Sequence, residues 1–236
     1  LASIGEKDGP PVYPLNLLGD FGGGGVYLAM GILAALLEAG RSGRGQVIDA
    51  AMVDGAASLM TLFHGLAACG MWSGERGSNI LDGGAPFARP YRTSDGEYIV
   101  ISPLEGPFFR DLLELLQIDD LDPARQYDST YWPEIGKRLE QVFAEKTRKE
   151  WCALLEGTDT CFAPVLGLEE AAHHPHNRAR ETTVKINGIE QPAPAPRFSR
   201  TPSEIRCPAG EEEPAEDILR RWGLATHEIE ALTRSG

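Results

Sequence analysis

The stretch that most constrains this chain is Asp20-Phe21-Gly22-Gly23-Gly24-Gly25, preceded by Pro14-Leu15-Asn16-Leu17-Leu18-Gly19 and followed by an apolar run over 26–37. Four consecutive glycines strip the Cβ wall from a length of backbone, so a neighbouring chain or a ligand can touch the main chain itself. Set ahead of an apolar helical run, they predict the opening turn of a helix. Unpaired N–H groups and a partial positive charge there favour an anion, or an oxygen about to become one. Asp20 beside such donors can exchange a proton with a substrate or attack it. The plainer reading is an N-cap followed by small residues for close packing, and the motif in isolation favours it. No Gly-Lys-Ser/Thr follows, so this is not a Walker A loop. No clear strand leads in, so it is not a dinucleotide fingerprint in context.

Downstream, Val26, Leu28, Met30, Ile32, Leu33, Leu36 and Leu37 cover most of a helix surface, which predicts a buried helix over 23–39. Residues 40–45 end it in a basic turn, 46–49 read as a short strand, and 50–71 as a second long helix rich in small residues. Composition then shifts, and 72–90 reads as a linker. A hairpin follows around Ser94-Asp95-Gly96, pairing 91–93 with 97–101. Helices are expected over 107–116, 132–145 and 148–156, the last opened by a Thr147/Glu150 capping box. A short strand at 161–166 and one or two helical turns at 168–173 come next. A strand–turn–strand follows about Asn187-Gly188. The proline-alternating stretch 191–196 cannot sit in a central strand and reads as an extended connector. The acidic run 211–213 precedes a final helix pair, 215–222 and 226–233, with Gly223 as C-cap between them. No internal repeat is visible.

At 236 residues the chain suffices for one large domain or two small ones. Its net charge of −13 argues against unspecific nucleic-acid binding and against a basic membrane patch. It leaves room for a phosphorylated ligand held by local basic residues. No signal peptide or membrane-spanning run is read. Cys69, Cys152, Cys161 and Cys207 form no C-x-x-C pair, which suggests unpaired thiols in a reducing, cytoplasmic setting. Leu1-Ala2-Ser3-Ile4 reads as the tail of an earlier element, so a piece of a longer protein is expected.

Other candidates are weaker. Glu105, at a strand-to-helix corner, is a helix-terminal charge or a group that orients a catalytic histidine; the residues alone favour the first. His64 on an apolar helix face reads as structural. His173, His174 and His176 invite a metal, but Pro175 breaks their spacing and no Cys, Asp or Glu completes a ligand set, so no metal is expected. Asp82 reads as turn chemistry. Arg41, Arg44, Arg76, Arg89 and Arg92 suit phosphates or plain surface.

Together and in order, several segments resemble the α-methylacyl-CoA racemases of the class III CoA-transferase (CaiB/BaiF-like) family. They are Pro14-Leu15-Asn16-Leu17-Leu18-Gly19-Asp20-Phe21-Gly22-Gly23-Gly24, Gly43-Arg44-Gly45-Gln46-Val47-Ile48-Asp49, Arg76-Gly77-Ser78-Asn79-Ile80-Leu81-Asp82-Gly83-Gly84-Ala85-Pro86, and His173-His174-Pro175-His176-Asn177-Arg178-Ala179-Arg180. The resemblance implies an α/β fold, with a Rossmann-like large domain joined by linkers to a smaller α/β domain in an interlocked homodimer. Residues 1–71 would then belong to the large domain and 72–90 to a linker. The small domain would span 91–190, and 191–236 would be a connector returning to the large domain. The implied reaction is epimerisation of a 2-methylacyl-CoA thioester by removal and return of its α-proton. CoA is then part of the substrate and no separate cofactor is involved; neither nucleic acid nor membrane is a partner. The implied catalytic residues are Asp20 and Glu105, the latter pairing with a catalytic histidine. The implied substrate-binding positions are Gly22, Gly23, Gly24, Leu81 and Leu104. The match is looser at Glu105, where Leu-Glu-Gly-Pro-Phe-Phe stands for the family's Ile-Glu-Pro-Gln-Phe-Tyr. The Gly-His-Asp-Ile-Asn-Tyr motif that carries the family histidine does not occur, so this chain alone is expected to be inactive. The alternatives are a CoA-transferase, in which the same Asp forms a mixed anhydride with the acyl group, and a non-catalytic interaction module.

Overall fold

The computed structural model describes residues 2–205 and 214–234; Cys207 and the acidic run 211–213 lie outside them. Contacts divide the chain into two units, Leu1–Val165 and Leu166–Gly236.

In the first unit the glycine run does not open a helix. It lies within a π-helical segment, Leu17–Val26, that continues without a break into α1, Tyr27–Ser42. The first bond, from Phe21 N–H to Asn16 O at 3.2 Å, spans five residues. Packing explains the need for glycine. Gly23 and Gly55 are the buried residues of the π segment and of α2, Met52–Leu59. A Cβ on Gly55 would stand 1.9 Å from the Gly23 carbonyl oxygen. Two helices can cross at that distance only where neither carries a side chain.

Three further expectations fail in this region. The buried helix is not buried: among its described residues α1 has no buried position, and Leu33, Leu36 and Leu37 are 68%, 64% and 69% exposed. The apolar pattern is real, but nothing described in this unit covers it. Joined to the π segment, it makes Leu17–Ser42 long and apolar enough to cross a membrane by length and composition, a test that core helices of water-soluble proteins also pass. Residues 46–49 form no strand. Val47 is 97% exposed and finds no partner strand, without which a strand has nothing to pair. The long helix over 50–71 breaks at Met60 (φ −85°, ψ 3°) into α2 and α3, Thr61–Ala68. There the Thr61 hydroxyl donates to Ser58 O at 2.6 Å, and so competes with the helical bonding of the backbone.

The rest of the unit follows the sequence closely. Strands β1 (Arg89–Arg92), β2 (Tyr98–Ile101) and β3 (Phe162–Pro164) form an antiparallel sheet in that order, with Tyr91 opposite Ile99 and Ile99 opposite Pro164. The hairpin turn closes through Thr93 N–H to Glu97 O, with Gly96 at φ 85°. Ile99 and Ile101 point into a core shared with α4 (Gly106–Leu115), α5 (Trp132–Phe143) and α6 (Arg148–Leu155). Helix α4 contributes Phe109, Leu112 and Leu113, and α5 contributes Ile135, Leu139, Val142 and Phe143. These are the three- and four-residue spacings of one helix face. Each such side chain, fully buried, contributes about 1.5–3 kcal/mol. Thr147 and Glu150 cap α6 reciprocally, with Thr147 N–H to Glu150 Oε2 at 2.8 Å and Glu150 N–H to Thr147 Oγ1 at 3.3 Å.

The second unit contains α7 (Leu168–His173), α8 (Pro175–Ala179), the antiparallel hairpin β4 (Thr183–Ile186) and β5 (Ile189–Pro192), α9 (Ala215–Arg221) and α10 (Thr226–Arg234). Asn187 and Gly188, both at positive φ, make the hairpin turn. Gly223, at φ 86°, follows α9 as expected. Pro192 is tolerated because a two-stranded sheet has only edges. The mixture of helices and sheets is that of an α/β chain.

Candidate active site

The start of the π segment sets up the local chemistry. Its first bonded donor is Phe21, so the N–H groups of residues 17–20 have no partner within the helix. These are the available donors; the N–H groups of the glycine run lie inside the helix, contrary to the sequence expectation. Asp20 is exposed in this first turn, where the helix dipole favours its negative charge. It is therefore not the N-cap, a position held by Asn16.

Asp20 lines a cavity of about 520 Å³. Leu15, Leu18 and Tyr13 form one wall, and Leu59, Met60 and Phe63 a second. Trp72, Leu81 and Asp82 close it from the loop before β1. Phe63 and Trp72 meet edge to face at 4.9 Å between centroids. The loop is tied by Asp82, whose carboxylate accepts from Gly77 N–H (3.0 Å), Asn79 N–H (2.8 Å), Asn79 Nδ2 (2.7 Å) and Gly84 N–H (3.1 Å). Asp82 thus does turn chemistry, and by doing so it shapes the wall that carries Leu81. The result is a mainly apolar cavity with Asp20 among its lining residues and the start of the π segment beside it. Such a site can take an apolar chain and hold a polarised carbonyl close to a base.

Glu105 sits elsewhere, at the N-cap position of α4 (φ −77°, ψ 137°). Its side chain makes no capping bond and is exposed, while its carbonyl accepts from Phe109 N–H at 3.1 Å. The Cys161 thiol lies close by. Partial desolvation first, then the charges of Glu105 and Asp159, raise its pKa. Leu104 is half-buried against the core. Neither Glu105 nor Leu104 lines the Asp20 cavity. Gly22, Gly23 and Gly24 face α2, where added Cβ atoms would stand 3.4 Å from Leu59, 2.8 Å from Ala56 and 3.1 Å from Met52. Of the residues singled out from sequence, the structure thus brings Asp20, Leu81 and Asp82 to one cavity. The aromatic wall of Phe63 and Trp72 carries no sequence signal, because the two meet only through the turn after α3.

His64 is exposed on α3, and His173 Nδ1 pairs with Glu169 O at 2.7 Å. Among the described residues no group of three or more His, Cys, Asp or Glu is placed to hold a metal ion. Arg76 ties the N-terminal segment to the loop, donating to Ala2 O at 2.9 Å, to Glu6 O at 3.2 Å and to Gly9 O. Arg89 pairs with Glu140 at 2.6 Å and donates to Tyr91 Oη, whose pKa burial pushes up to about 12.

Comparison with known proteins bears on both parts of the chain. The chain is 45% identical to the alpha-methylacyl-CoA racemase of Mus musculus, over 97% of its own length and 61% of the mouse protein. It is 40% identical to that of Homo sapiens, over 98% of its length and 62% of the human protein. The chain therefore spans about three-fifths of these curated relatives. A crystal structure of the hypothetical protein Rv3272 from Mycobacterium tuberculosis superposes with a TM-score of 0.66 at 25% identity, covering 84% of this chain and 53% of that one. The family model described as CoA-transferase family III matches residues 1–213, and the chain belongs to that family.

Proposed function

We propose that the protein carrying this chain is an α-methylacyl-CoA racemase-like isomerase, interconverting (R)- and (S)-2-methylacyl-CoA. The observation that carries this reading is Asp20 on the lining of an apolar cavity, beside helix-start N–H groups, in a chain 45% and 40% identical to two racemases. An α-proton beside a thioester is weakly acidic, and its removal puts charge on the thioester oxygen. Preorganised donors aimed at that oxygen supply the largest share of such catalysis, and the N–H groups of residues 17–20 suit the task. Asp20 takes or returns the proton on one face of the α-carbon. The opposite face needs a second acid/base group, in the family a histidine in a Gly-His-Asp-Ile-Asn-Tyr motif that does not occur in these 236 residues. Glu105 is assigned to that histidine as its partner. The substrate brings its own CoA. The homodimer, the cytoplasmic setting and the division into a large domain (1–71 with 191–236) and a small one (91–190) belong to the same proposal.

In the complete protein, Asp20→Asn should lower turnover on the order of 10²–10⁴-fold. Exchange of the α-proton with deuterium from solvent should be lost from one enantiomer and persist from the other. Unchanged turnover would overturn the reading. A CoA-transferase would instead attack with Asp20 and pass through a mixed anhydride. Trapping by hydroxylamine at Asp20 in the presence of acyl-CoA would favour that second reading, which the family name supports.

A further inference from the structure

The corner that carries Glu105 is clamped from beneath. Gln126 is 2% exposed, and its Nε2 donates to Pro103 O at 2.8 Å and to Leu104 O at 3.1 Å. The Tyr127 hydroxyl also donates to Leu104 O. Gln126 is held in turn by its own carbonyl, which accepts from Trp132 Nε1 at 2.9 Å. Three hydrogen bonds from two donor groups thus converge on the two carbonyls just before Glu105, and the next carbonyl, that of Glu105, is fixed by Phe109 N–H. The backbone is fixed on both sides of Glu105, while its carboxylate is not used for capping.

Gln126 sustains this clamp at a cost. Its Oε1 is buried without a hydrogen-bond partner. A buried unsatisfied acceptor is destabilising, and each one in a folded protein calls for a reason. Flipping the amide would press that oxygen against two carbonyl oxygens, so the orientation is set by the clamp. A side chain chosen for packing alone would be apolar.

We propose that Gln126 and Tyr127 are the positioning residues for Glu105, holding the 102–107 corner so that its carboxylate meets its catalytic partner in a fixed geometry. This rests on the racemase reading and on the role of Glu105 within it. A misplacement of about 1 Å can cost on the order of 10²-fold in rate, so a rotamer-locked amide beneath the corner is a direct control of kcat.

The test uses the complete protein with 2-methylacyl-CoA and compares Glu105→Gln, Gln126→Ala, Tyr127→Phe, and both of the latter in the Glu105→Gln background. Gln126→Ala should lower kcat on the order of 10²-fold with KM within about twofold, and Tyr127→Phe should lower it severalfold. Neither should lower it further once Glu105 is Gln, because residues acting through one group are not additive. Tyr127 is 56% exposed, so Tyr127→Phe decides the matter if Gln126→Ala fails to fold. An equal drop in both backgrounds, or no drop in folded variants, overturns the inference and leaves the racemase reading standing. Full activity of Glu105→Gln removes the role of Glu105 and this inference with it, and leaves Asp20 to its own test.

Discussion

Gly23 and Gly55 leave no room for a methyl group between their helices. With a Cβ at 55 standing 1.9 Å from a backbone oxygen, Gly55→Ala must push the π segment off α2. Overpacking of this kind costs about 1–3 kcal/mol and sometimes more, so Gly55→Ala should lower the melting temperature and disturb the Asp20 cavity. Gly25→Ala is the control: its Cβ would meet only Asp20 O at an ordinary 3.6 Å, and the melting temperature should hold. Thermal unfolding by circular dichroism checks both. Asp20 itself stands out in the sequence because four glycines follow it. What those glycines do does not stand out, since closeness to a ligand and closeness to another helix ask for the same residue. The partner, Gly55, lies thirty-two residues after Gly23 in a run of small residues that gives no hint of which one crosses.

Elements specified by neighbours in the chain were legible. The Thr147/Glu150 box, the Ser94-Asp95-Gly96 hairpin and the Gly223 stop all depend on contacts within a few residues. Elements that depend on distant partners or on small local competitions were not. The strand expected at 46–49 found no neighbour, and Thr61 tipped the break at Met60. The capping box makes a prediction at this scale. Thr147→Ala removes the hydroxyl half of the reciprocal bond, leaves the backbone half in place, and should cost about 1 kcal/mol of stability, read as a lowered denaturation midpoint. The bond also makes stability depend on pH. The Thr147 backbone N–H, followed by its hydroxyl, lowers the Glu150 pKa. A lowered folded pKa means that the contribution is fully present above the unfolded value, about 4.3. It is lost as pH falls through the lowered one. Wild type should therefore lose more stability than Glu150→Ala on acidification below about pH 4. Equal losses would contradict this.

For the whole molecule, the telling feature is the outward stripe of α1. Leu33, Leu36, Leu37 and Met30 are all more than half exposed. Contiguous apolar surface of this kind marks an interaction site or an aggregation hazard. The chain studied alone should therefore self-associate at micromolar concentration, and sedimentation should detect it. A Leu33→Glu/Leu37→Glu variant should move it toward monomer. A monodisperse monomer without these changes would contradict the argument. The sequence pattern announced an apolar helix correctly; what covers it is not encoded in the helix's own residues. The π segment connects this stripe to the cavity. An α-helix rotates about 100° per residue, and the wider coil over Leu17–Val26 resets that count between Asp20 and α1. The glycine run thus works as a phase shifter, setting the angle between the carboxylate and the outward stripe. Deleting a single glycine would let the segment relax to an α-helix and swing Asp20 by more than a quarter turn, away from the cavity, with every functional side chain still in the sequence.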